Sequence, residues 1–301
     1  MTAIDSLLVG LVRHRRSHGA NAVVTGAGSG IGRAFAVELA ARGGHVVCAD
    51  IDPDRAGETV DLITAAGGRA LAQLCDVSVH DDVVKLADVA QRDFGGPPTL
   101  VINNAGVGIG GLPVGEIGMD DWNWALGINL WGVVHGCETF APLVRSAGRG
   151  GIINVASAAA FAAAPAMGPY NVGKAGVMSV SETLSAEMSG TGVAVTVLCP
   201  TFVKTNVARD GRITENGRGL ADWLMEKTGH SPSSIAAATL DANDLGRLYV
   251  VPQVDATVIW HLKRHFPAPY TWGAGLLNRL LPDEQHADVL DRADTDHANQ
   301  H

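Results

Sequence analysis

Three side chains in one alanine-rich stretch have the types and spacing for proton transfer. Residues 154–176 read NVASAAAFAAAPAMGPYNVGKAG, in which Ser157 is followed by Tyr170 and, four residues later, by Lys174. A free tyrosine has a pKa of about 10, too high for a base at neutral pH, and a nearby ammonium lowers it. If 168–188 is a helix, Tyr170 and Lys174 share one face. Ser157 would then hydrogen-bond a substrate oxygen, and the trio predicts acid–base chemistry.

A glycine-rich turn near the start of the chain predicts a phosphate site. The apolar run 22–26 leads into TGAGSGIG at 25–32, and a helix-like pattern follows. Glycine allows a tight turn and a close approach of the backbone to a pyrophosphate, and a helix N-terminus offers free N–H groups to the anion. The expected cofactor contacts here are Gly26, Ser29, Gly30, Ile31 and Gly32.

The second apolar run ends in CADID and supplies a carboxylate for the same ligand. Asp50 lies 18 positions after Gly32, close to where an acid binds the adenosine ribose hydroxyls. Such a carboxylate repels a 2′-phosphate, and that repulsion should outweigh any attraction by Arg33. We therefore predict NAD as the cofactor rather than NADP. Asp52, before Pro53, is the better candidate for a helix N-cap.

The segments that must position these groups are predicted strands and helices, which alternate along the chain. Short, nearly continuous apolar runs fall at 22–26, 45–50, 70–77, 100–106, 151–157, 193–200 and 248–252. Such runs are typical of strands covered on both faces. Helix-like segments lie between them, one beginning with Ser78 as its expected N-cap and ending at Gly95. The alternation predicts an α/β protein: a single-domain doubly wound Rossmann fold with a mostly parallel seven-stranded sheet and helices on both faces.

The 301 residues, 47% of them hydrophobic, suffice for one large core. We expect an N-terminal arm or helix at 1–19, a Rossmann-type domain at 20–255 and a C-terminal extension at 256–301 with a partly mobile tail. Within the domain, 206–245 is predicted to be a helical lid over the substrate.

Composition and charge argue against several classes of function. A net charge of −9 disfavours nucleic acid as a partner, and no run of about 18 apolar residues predicts stable membrane insertion. The four cysteines form no CxxC pair, which is typical of buried thiols in a cytoplasmic protein. His261 and His265 form an HxxxH pair with no glutamate after the first histidine, so we predict no metal site.

Several motifs in a fixed order resemble those of one family. They are TGAGSGIG, NNAG at 103–106, Asn129 in INLWG, Ser157, YNVGK at 170–174 and CPTFVKT at 199–205. Across about residues 20 to 206 the chain resembles the classical short-chain dehydrogenases/reductases. The resemblance implies an oxidoreductase of the CH–OH group in which hydride moves between a nicotinamide and a substrate carbon.

The resemblance also implies roles for single residues. Tyr170 would be the acid/base, Lys174 would lower its pKa and bind the nicotinamide ribose, and Ser157 would orient the substrate oxygen. Asn129 would hold a water that links Lys174 to solvent. The remaining cofactor contacts implied are Asp76 and Val77 at the adenine, Asn103, Ala105 and Gly106 near the adenosine ribose, and Pro200, Val203 and Thr205 around the nicotinamide.

The chain departs from the family in two places. Thr201 follows Pro200 where the family usually has glycine, and no Val-Asp-Gly-Gly-like strand ends the chain. That strand helps to build the family's tetramer. A homodimer through the helices that carry Asn129 and Tyr170 is therefore our first expectation, with a homotetramer second.

The substrate is predicted to be a small hydrophobic secondary alcohol or ketone. The candidate pocket residues are apolar: Val107, Ile109, Phe161, Phe202, Trp223, Leu224 and Met225. A carboxylate or a coenzyme A phosphate stays open as the ligand of Arg209, Arg212, Arg218 and Lys227. Two other functions also stay open: an NADP-dependent ketoacyl-type reductase and a non-catalytic NAD-binding scaffold.

Overall fold

The computed structural model describes residues 15–205, 210–214, 219 and 229–280. The chain divides into two compact units, Met1–Trp260 and His261–His301. The division falls five residues after the predicted start of the C-terminal extension. The larger unit contains the whole of the sheet described next.

Seven parallel strands form the central sheet. The described strands are β1 Asn21–Thr25, β2 His45–Asp50, β3 Arg69–Leu74, β4 Leu100–Asn103, β5 Ile109–Gly110, β6 Gly150–Val155, β7 Val193–Leu198, β8 Arg212–Ile213 and β9 Tyr249–Val250. The main sheet has the order β3-β2-β1-β4-β6-β7-β9, and each of its neighbouring pairs is parallel. The short strands β5 and β8 pair with each other.

Helices of the larger unit lie on both faces of this sheet, and the last described helix belongs to the smaller unit. The described helices are α1 Gly30–Ala41, α2 Pro53–Ala65, α3 His80–Phe94, α4 Met119–Leu126, α5 Gly132–Ser146, α6 Ala159–Ala162, α7 Gly168–Glu187, α8 Pro232–Asp244, α9 Val254–His265 and α10 Pro267–Leu280. A π-helical turn, Gly127–Trp131, joins α4 to α5.

The core is split into two layers by the alternation of strand side chains. Val24 of β1 packs in one layer with Phe35 of α1 and Leu240 of α8. Its neighbour Val23 packs in the other layer with Phe140 of α5 and others from α3 and α7. Successive residues of a strand point to opposite faces, so both layers need apolar residues, and this explains the continuous apolar runs. The predicted doubly wound Rossmann architecture is confirmed.

Two predicted helix caps have different outcomes. Asp52 caps α2 as expected, since its carboxylate accepts hydrogen bonds of 3.1 Å from the N–H groups of Asp54 and Arg55. Ser78 was the wrong choice for α3, which begins at His80 with Val79 at the cap position. The Ser78 hydroxyl instead donates to Asp76 at 2.7 Å, because the carboxylate two residues earlier is the nearer acceptor.

The predicted lid at 206–245 is wrong in its second half. Helix α8 belongs to the core, where Ile235, Ala236 and Leu240 are fully or almost fully buried, and it packs against α1 and β7. Its apolar residues recur at helical spacing, which is the pattern of a packed helix rather than of a cover. Trp223, Leu224, Met225 and the cations Arg209, Arg218 and Lys227 lie outside the described residues.

Residues 16 and 17, near the end of the predicted N-terminal arm, are hydrogen-bonded to the end of α8. Ser17 donates from its backbone N–H and its hydroxyl to the Asp244 carboxylate at 2.8 and 2.6 Å. Arg16 donates to the backbone oxygens of Asn243 and Asp244. Residues 16 and 17 are thus part of the folded domain.

The chemistry of the buried thiols agrees with the sequence-based interpretation. All four cysteines are buried and unpaired, and burial raises the pKa of the Cys48, Cys75 and Cys199 thiols to about 12 and that of Cys137 to about 11. They are therefore poor nucleophiles at neutral pH. Within the described residues, no helix has both the length and the apolar character needed to cross a membrane.

Candidate active site

A cavity of about 580 Å³ opens at the carboxyl edge of the sheet. It is lined where strands end: by Gly26 after β1, Asp50 at the end of β2, Ala105 after β4, Ser157 after β6 and Pro200 after β7. Carboxyl ends of parallel strands meet at one edge, where a crevice forms in folds of this type. From β2 to β6 the sheet crosses three strand spacings, about 14 Å. The cavity is therefore long enough to join two separate chemical environments.

One of these environments contains the three residues of the alanine-rich stretch. Helix α7 places Tyr170 and Lys174 one turn apart, and Ser157 lies near enough to the Tyr170 hydroxyl to lower its pKa. The Lys174 Nζ lies 5.8 Å from the centre of the Tyr170 ring and donates to the Val155 carbonyl oxygen at 3.0 Å. All three side chains line the cavity.

Lys174 is an almost wholly buried amine. Its side chain is 3% exposed, and within the described part of the chain no carboxylate forms an ion pair with it. Desolvation lowers its pKa from the ordinary 10.5 to about 8. The amine is still mostly charged at neutral pH, and its positive potential is unscreened by a partner.

The expected low pKa of Tyr170 is not produced by the protein groups alone. Burial raises the Tyr170 pKa above its ordinary value, and the nearby Ser157 hydroxyl opposes that rise only in part. Lys174 does not reverse it because its Nζ faces the ring and donates to the Val155 oxygen rather than to the phenol. The phenol is therefore protonated at neutral pH and is suited to give a proton.

Asn129 fixes the backbone beside this cluster. It lies in the π-helical turn, where Gly132 donates to the oxygen of Gly127 five residues earlier. The Asn129 amide oxygen accepts from the Val107 N–H at 2.9 Å, and its amide nitrogen donates to the Val107 oxygen at 2.9 Å. The π turn is a feature common near functional sites. That Asn129 holds a water linking Lys174 to solvent stays a prediction.

Gly106 is enclosed between the two polar groups. A Cβ on this glycine would lie 2.8 Å from the Asn129 amide oxygen and 3.2 Å from the Lys174 Nζ. No larger residue fits without moving the Lys174 amine or the Asn129 side chain that bonds Val107. A glycine is therefore required at the end of NNAG for steric reasons.

The turn between β1 and α1 has a backbone geometry compatible with the predicted phosphate site. Gly26 and Gly30 have φ of +63° and +53°, which side chains rarely adopt. Ser29 occupies the N-cap position without a side-chain cap bond, and Ser29, Gly30 and Ile31 line the cavity. Uncapped N–H groups at a helix N-terminus suit a pyrophosphate. The donor set thus fits the diphosphate of a dinucleotide.

Gly32 does not line the cavity but holds this turn closed, which gives a testable expectation. A Cβ there would overlap the Gly26 carbonyl oxygen and the Asn104 amide. Gly32→Ala should destabilise the protein by about 1–3 kcal/mol in urea unfolding, as overpacking does. Gly57→Ala is the control: Gly57 lies within α2 with no atom within 4 Å of its Cβ position, and should gain about 1 kcal/mol. A Gly32→Ala protein as stable as the wild type would contradict this packing role.

At the other end of the cavity, Asp50 is held by backbone donors. Its Oδ2 accepts from the Gly28 N–H at 2.8 Å, and its Oδ1 accepts from the Asp52 N–H at 3.0 Å. Arg33 is committed elsewhere: it forms an ion pair with Glu58 at 2.7 Å and donates to Thr59 at 3.0 Å. The carboxylate is thus fixed in place and Arg33 is already paired.

The structure brings most of the predicted site residues to the cavity wall. These are Gly26, Ser29, Gly30, Ile31, Asp50, Asp76, Val77, Ala105, Gly106, Val107, Ile109, Ser157, Tyr170, Lys174, Pro200, Phe202, Val203 and Thr205. Trp223 lies outside the described residues. Asn103, Asn129, Phe161 and Gly32 are described but are not among the lining residues.

Asn103 and Phe161 need correction as ligand contacts. The Asn103 side chain is buried in the sheet and donates to Asn154 at 2.8 Å, because the alternation along β4 turns it towards the core. Phe161 packs edge-on against Trp260, with ring centres 4.9 Å apart, so it supports the cavity from behind.

Sequence reasoning missed several lining residues. Met167, Ile213 and Ile259 add apolar surface, and Arg55 and Asp210 add charges. Their contributions depend on tertiary packing between distant segments, for which a single sequence carries no signal.

Thr201 occupies the family's glycine position without strain. The positive-φ residues other than glycine in the described chain are Ala163 and Ala166 alone, so Thr201 has an ordinary backbone conformation. Its N–H donates to Gln253 at 3.1 Å and its hydroxyl to Asp255 at 3.2 Å. The threonine therefore links the end of β7 to the start of α9.

The two histidines of the HxxxH pair stack on each other. The rings of His261 and His265 are nearly parallel, with centres 6.0 Å apart. No group of three or more possible metal ligands occurs in the part of the chain that the structure describes.

Comparison with known proteins places this site in a family. The model of the short chain dehydrogenase family matches residues 20–216. The "Probable oxidoreductase EphD" of Mycobacterium tuberculosis is 34% identical over 229 residues, which are 73% of this chain but only 38% of that relative. The 1-deoxy-11-beta-hydroxypentalenate dehydrogenase of Streptomyces avermitilis is 34% identical over 78% of this chain and 85% of its own.

A solved structure is similar over most of the fold. A short chain dehydrogenase/reductase from Burkholderia phymatum in complex with NAD is 34% identical, with a TM-score of 0.78. The similarity covers 83% of this chain and 94% of that chain. With the glycine turn, Ser157, Tyr170 and Lys174 at one cavity, these matches show that the chain belongs to the short-chain dehydrogenase/reductase family of oxidoreductases.

Proposed function

We propose that the chain is an NAD-dependent dehydrogenase or reductase that interconverts a hydrophobic secondary alcohol and its ketone. The observation that carries the proposal is that Ser157, Tyr170 and the buried Lys174 line one cavity that also contains Asp50. Proton transfer and cofactor selection would then take place at opposite ends of one cleft.

The protein groups divide the reaction among themselves. When bound, the nicotinamide ring accepts or supplies a hydride. In ketone reduction the Tyr170 hydroxyl gives its proton to the substrate oxygen, and in alcohol oxidation its phenolate takes that proton back. The Ser157 hydroxyl hydrogen-bonds the same substrate oxygen. The Lys174 ammonium would stabilise the phenolate that remains after reduction once its Nζ turns from the Val155 oxygen towards the phenol, and its low-dielectric surroundings would strengthen that effect.

The preference for NAD rests on the charges at the adenosine end. The Asp50 carboxylate is positioned to accept hydrogen bonds from ribose hydroxyls and to repel a 2′-phosphate. Arg33, the cation of the glycine turn, is already paired with Glu58. Both features disfavour NADP.

Calorimetric titration with the two cofactors tests this preference. We expect NAD to bind at least about tenfold more tightly than NADP, which corresponds to about 1.4 kcal/mol of repulsion. The margin should narrow as salt is added, because the Asp50 side chain is partly solvated. Equal or tighter binding of NADP would contradict the assignment and favour the ketoacyl-type reductase.

The hydrophobic substrate is supported by the wall near Tyr170. The cavity that Tyr170 lines is also lined by Val107, Ile109, Met167, Phe202 and Ile259 and by four small residues of the alanine-rich stretch, Ala158, Ala159, Ala162 and Ala164. Arg212 is paired with Asp121 at 2.6 Å and stacks on Trp124. Because Arg212 already has these partners, a substrate carboxylate or a coenzyme A phosphate is disfavoured as its ligand.

Self-association forms part of the same proposal. Trp131 is 53% exposed and Val172 is 48% exposed, and they lie on the π turn and helix that carry Asn129 and Tyr170. Large apolar side chains left exposed on these elements support a homodimer through this surface.

A further inference from the structure

The adenosine end of the cavity contains a second cation, Arg55. A Cβ on Gly28 would lie 2.7 Å from the Arg55 Cβ and 2.8 Å from the Asp50 Oδ2, so both side chains converge on this glycine. Arg55 and Asp50 both line the cavity. A guanidinium here is close to the carboxylate assigned to the adenosine ribose, and guanidinium groups are effective ligands of phosphate.

The charge of Arg55 is offset by two further carboxylates. Its Nη1 lies 2.9 Å from the Asp210 Oδ2, and its Nε lies 3.2 Å from the Asp52 Oδ2. Asp210 has the largest effect in raising the Arg55 pKa, through a hydrogen bond and through its charge, and Asp52 and Asp50 add to it. Asp210 is therefore the principal partner of this cation.

Asp210 reaches Arg55 from a distant part of the chain. It belongs to residues 210–214, whose strand β8 pairs with β5, and Arg212 of the same segment bonds Asp121 of α4. This segment contacts α2 through Asp210 and α4 through Arg212. The two ion pairs can be broken separately, which makes the effect of each measurable.

We propose that Asp210 is a determinant of cofactor specificity, which excludes the 2′-phosphate of NADP by neutralising Arg55. The inference rests on the proposed use of NAD. Asp50 repels that phosphate directly, Arg33 is paired with Glu58, and Asp210 neutralises Arg55, a second cation that would otherwise compensate. Replacing Asp210 by a neutral residue removes one negative charge and leaves Arg55 with one of its two ion-pair partners, Asp52, beside a group that carries about two negative charges. At a separation of about 6 Å in a water-like medium this changes affinity by roughly tenfold.

The experiment compares the dissociation constants of NAD and NADP by calorimetry, with the full chain and at low salt. The variants are Asp210→Asn, Asp210→Ser, Arg55→Gln and the double variant Asp210→Asn with Arg55→Gln. Asp121→Asn is the matched control, because it breaks the other ion pair of the segment at 2.6 Å without touching Arg55. The readout is the ratio of the two constants, which is insensitive to a general weakening of binding.

We expect both Asp210 variants to improve NADP binding relative to NAD by about five- to tenfold. The double variant and Asp121→Asn should keep the wild-type ratio. An Asp210 variant that changes both affinities equally, or an Asp121→Asn protein with the same shift in ratio, would overturn the proposal and leave the pair as a support of the segment. Failure of the NAD assignment would appear in the wild type itself, as a preference for NADP or as no binding, and would overturn the inference with it.

Discussion

Tyr170→Phe should lower turnover by about a thousandfold while changing the dissociation constant of NAD by less than about threefold. The substitution removes the proton carrier and leaves the ring that Lys174 faces, 5.8 Å from its Nζ. Cofactor contacts at the glycine turn and Asp50 are untouched. Steady-state kinetics and calorimetry on the same preparation measure the two effects. A variant with a tenth or more of wild-type turnover would show that another group moves the proton.

The pH dependence of the two directions follows from the protonation of this phenol. Since burial raises the Tyr170 pKa, ketone reduction should be flat near neutral pH and fall in alkali, whereas alcohol oxidation should rise with pH. Tyr249→Phe provides the matched control, because its hydroxyl bonds Glu182 at 2.6 Å on the exposed surface. It should retain wild-type kinetics in both directions.

Lys174→Met should remove a pH-dependent part of the free energy of unfolding. The folded-state pKa is lowered from 10.5 to about 8, so below pH 8 the amine is charged in both states and the full burial cost applies. Between these values the unfolded chain binds more protons, and wild-type stability rises with pH relative to the variant. The rise should reach about 3 kcal/mol, and it should end once both states are neutral.

Urea unfolding of the wild type and the variant at several pH values, without added cofactor, measures this difference. Other titrating groups cancel in the comparison. Lys85→Met is the control: the hydrogen bond with Asp82 raises the pKa of the exposed Lys85, so wild-type stability relative to this variant should not rise in alkali. Parallel curves for wild type and Lys174→Met would mean that the buried amine does not carry its charge as described.

The sheet could be predicted because its determinants are local and repeated. Each strand is an apolar run, and each connection has the length of a helix, so the doubly wound order follows from general rules of handedness and packing. The ends of elements were less predictable. The third strand stops at Leu74 rather than at 77, because Asp76 forms a turn with Ser78, a competition between two side chains that periodicity does not reveal.

The clustering of Ser157, Tyr170 and Lys174 was predictable because they lie within 18 positions of one another and two of them share a helix face. The effect of Lys174 on the Tyr170 pKa could not be predicted from the sequence. Whether Lys174 lowers or fails to lower the Tyr170 pKa depends on where its Nζ points, and the structure directs it to the Val155 oxygen. The pairing of Arg55 with Asp210 joins residues 155 positions apart and has no local signal.

The most direct test of the central claim is the reduction of NAD by the wild-type chain with a panel of apolar secondary alcohols. The account predicts that NADH forms with at least one of them, and that Tyr170→Phe abolishes its formation while still binding NAD. Tight NAD binding with no NADH formed from any alcohol, and none consumed with the matching ketones, would contradict it and point to a non-catalytic scaffold.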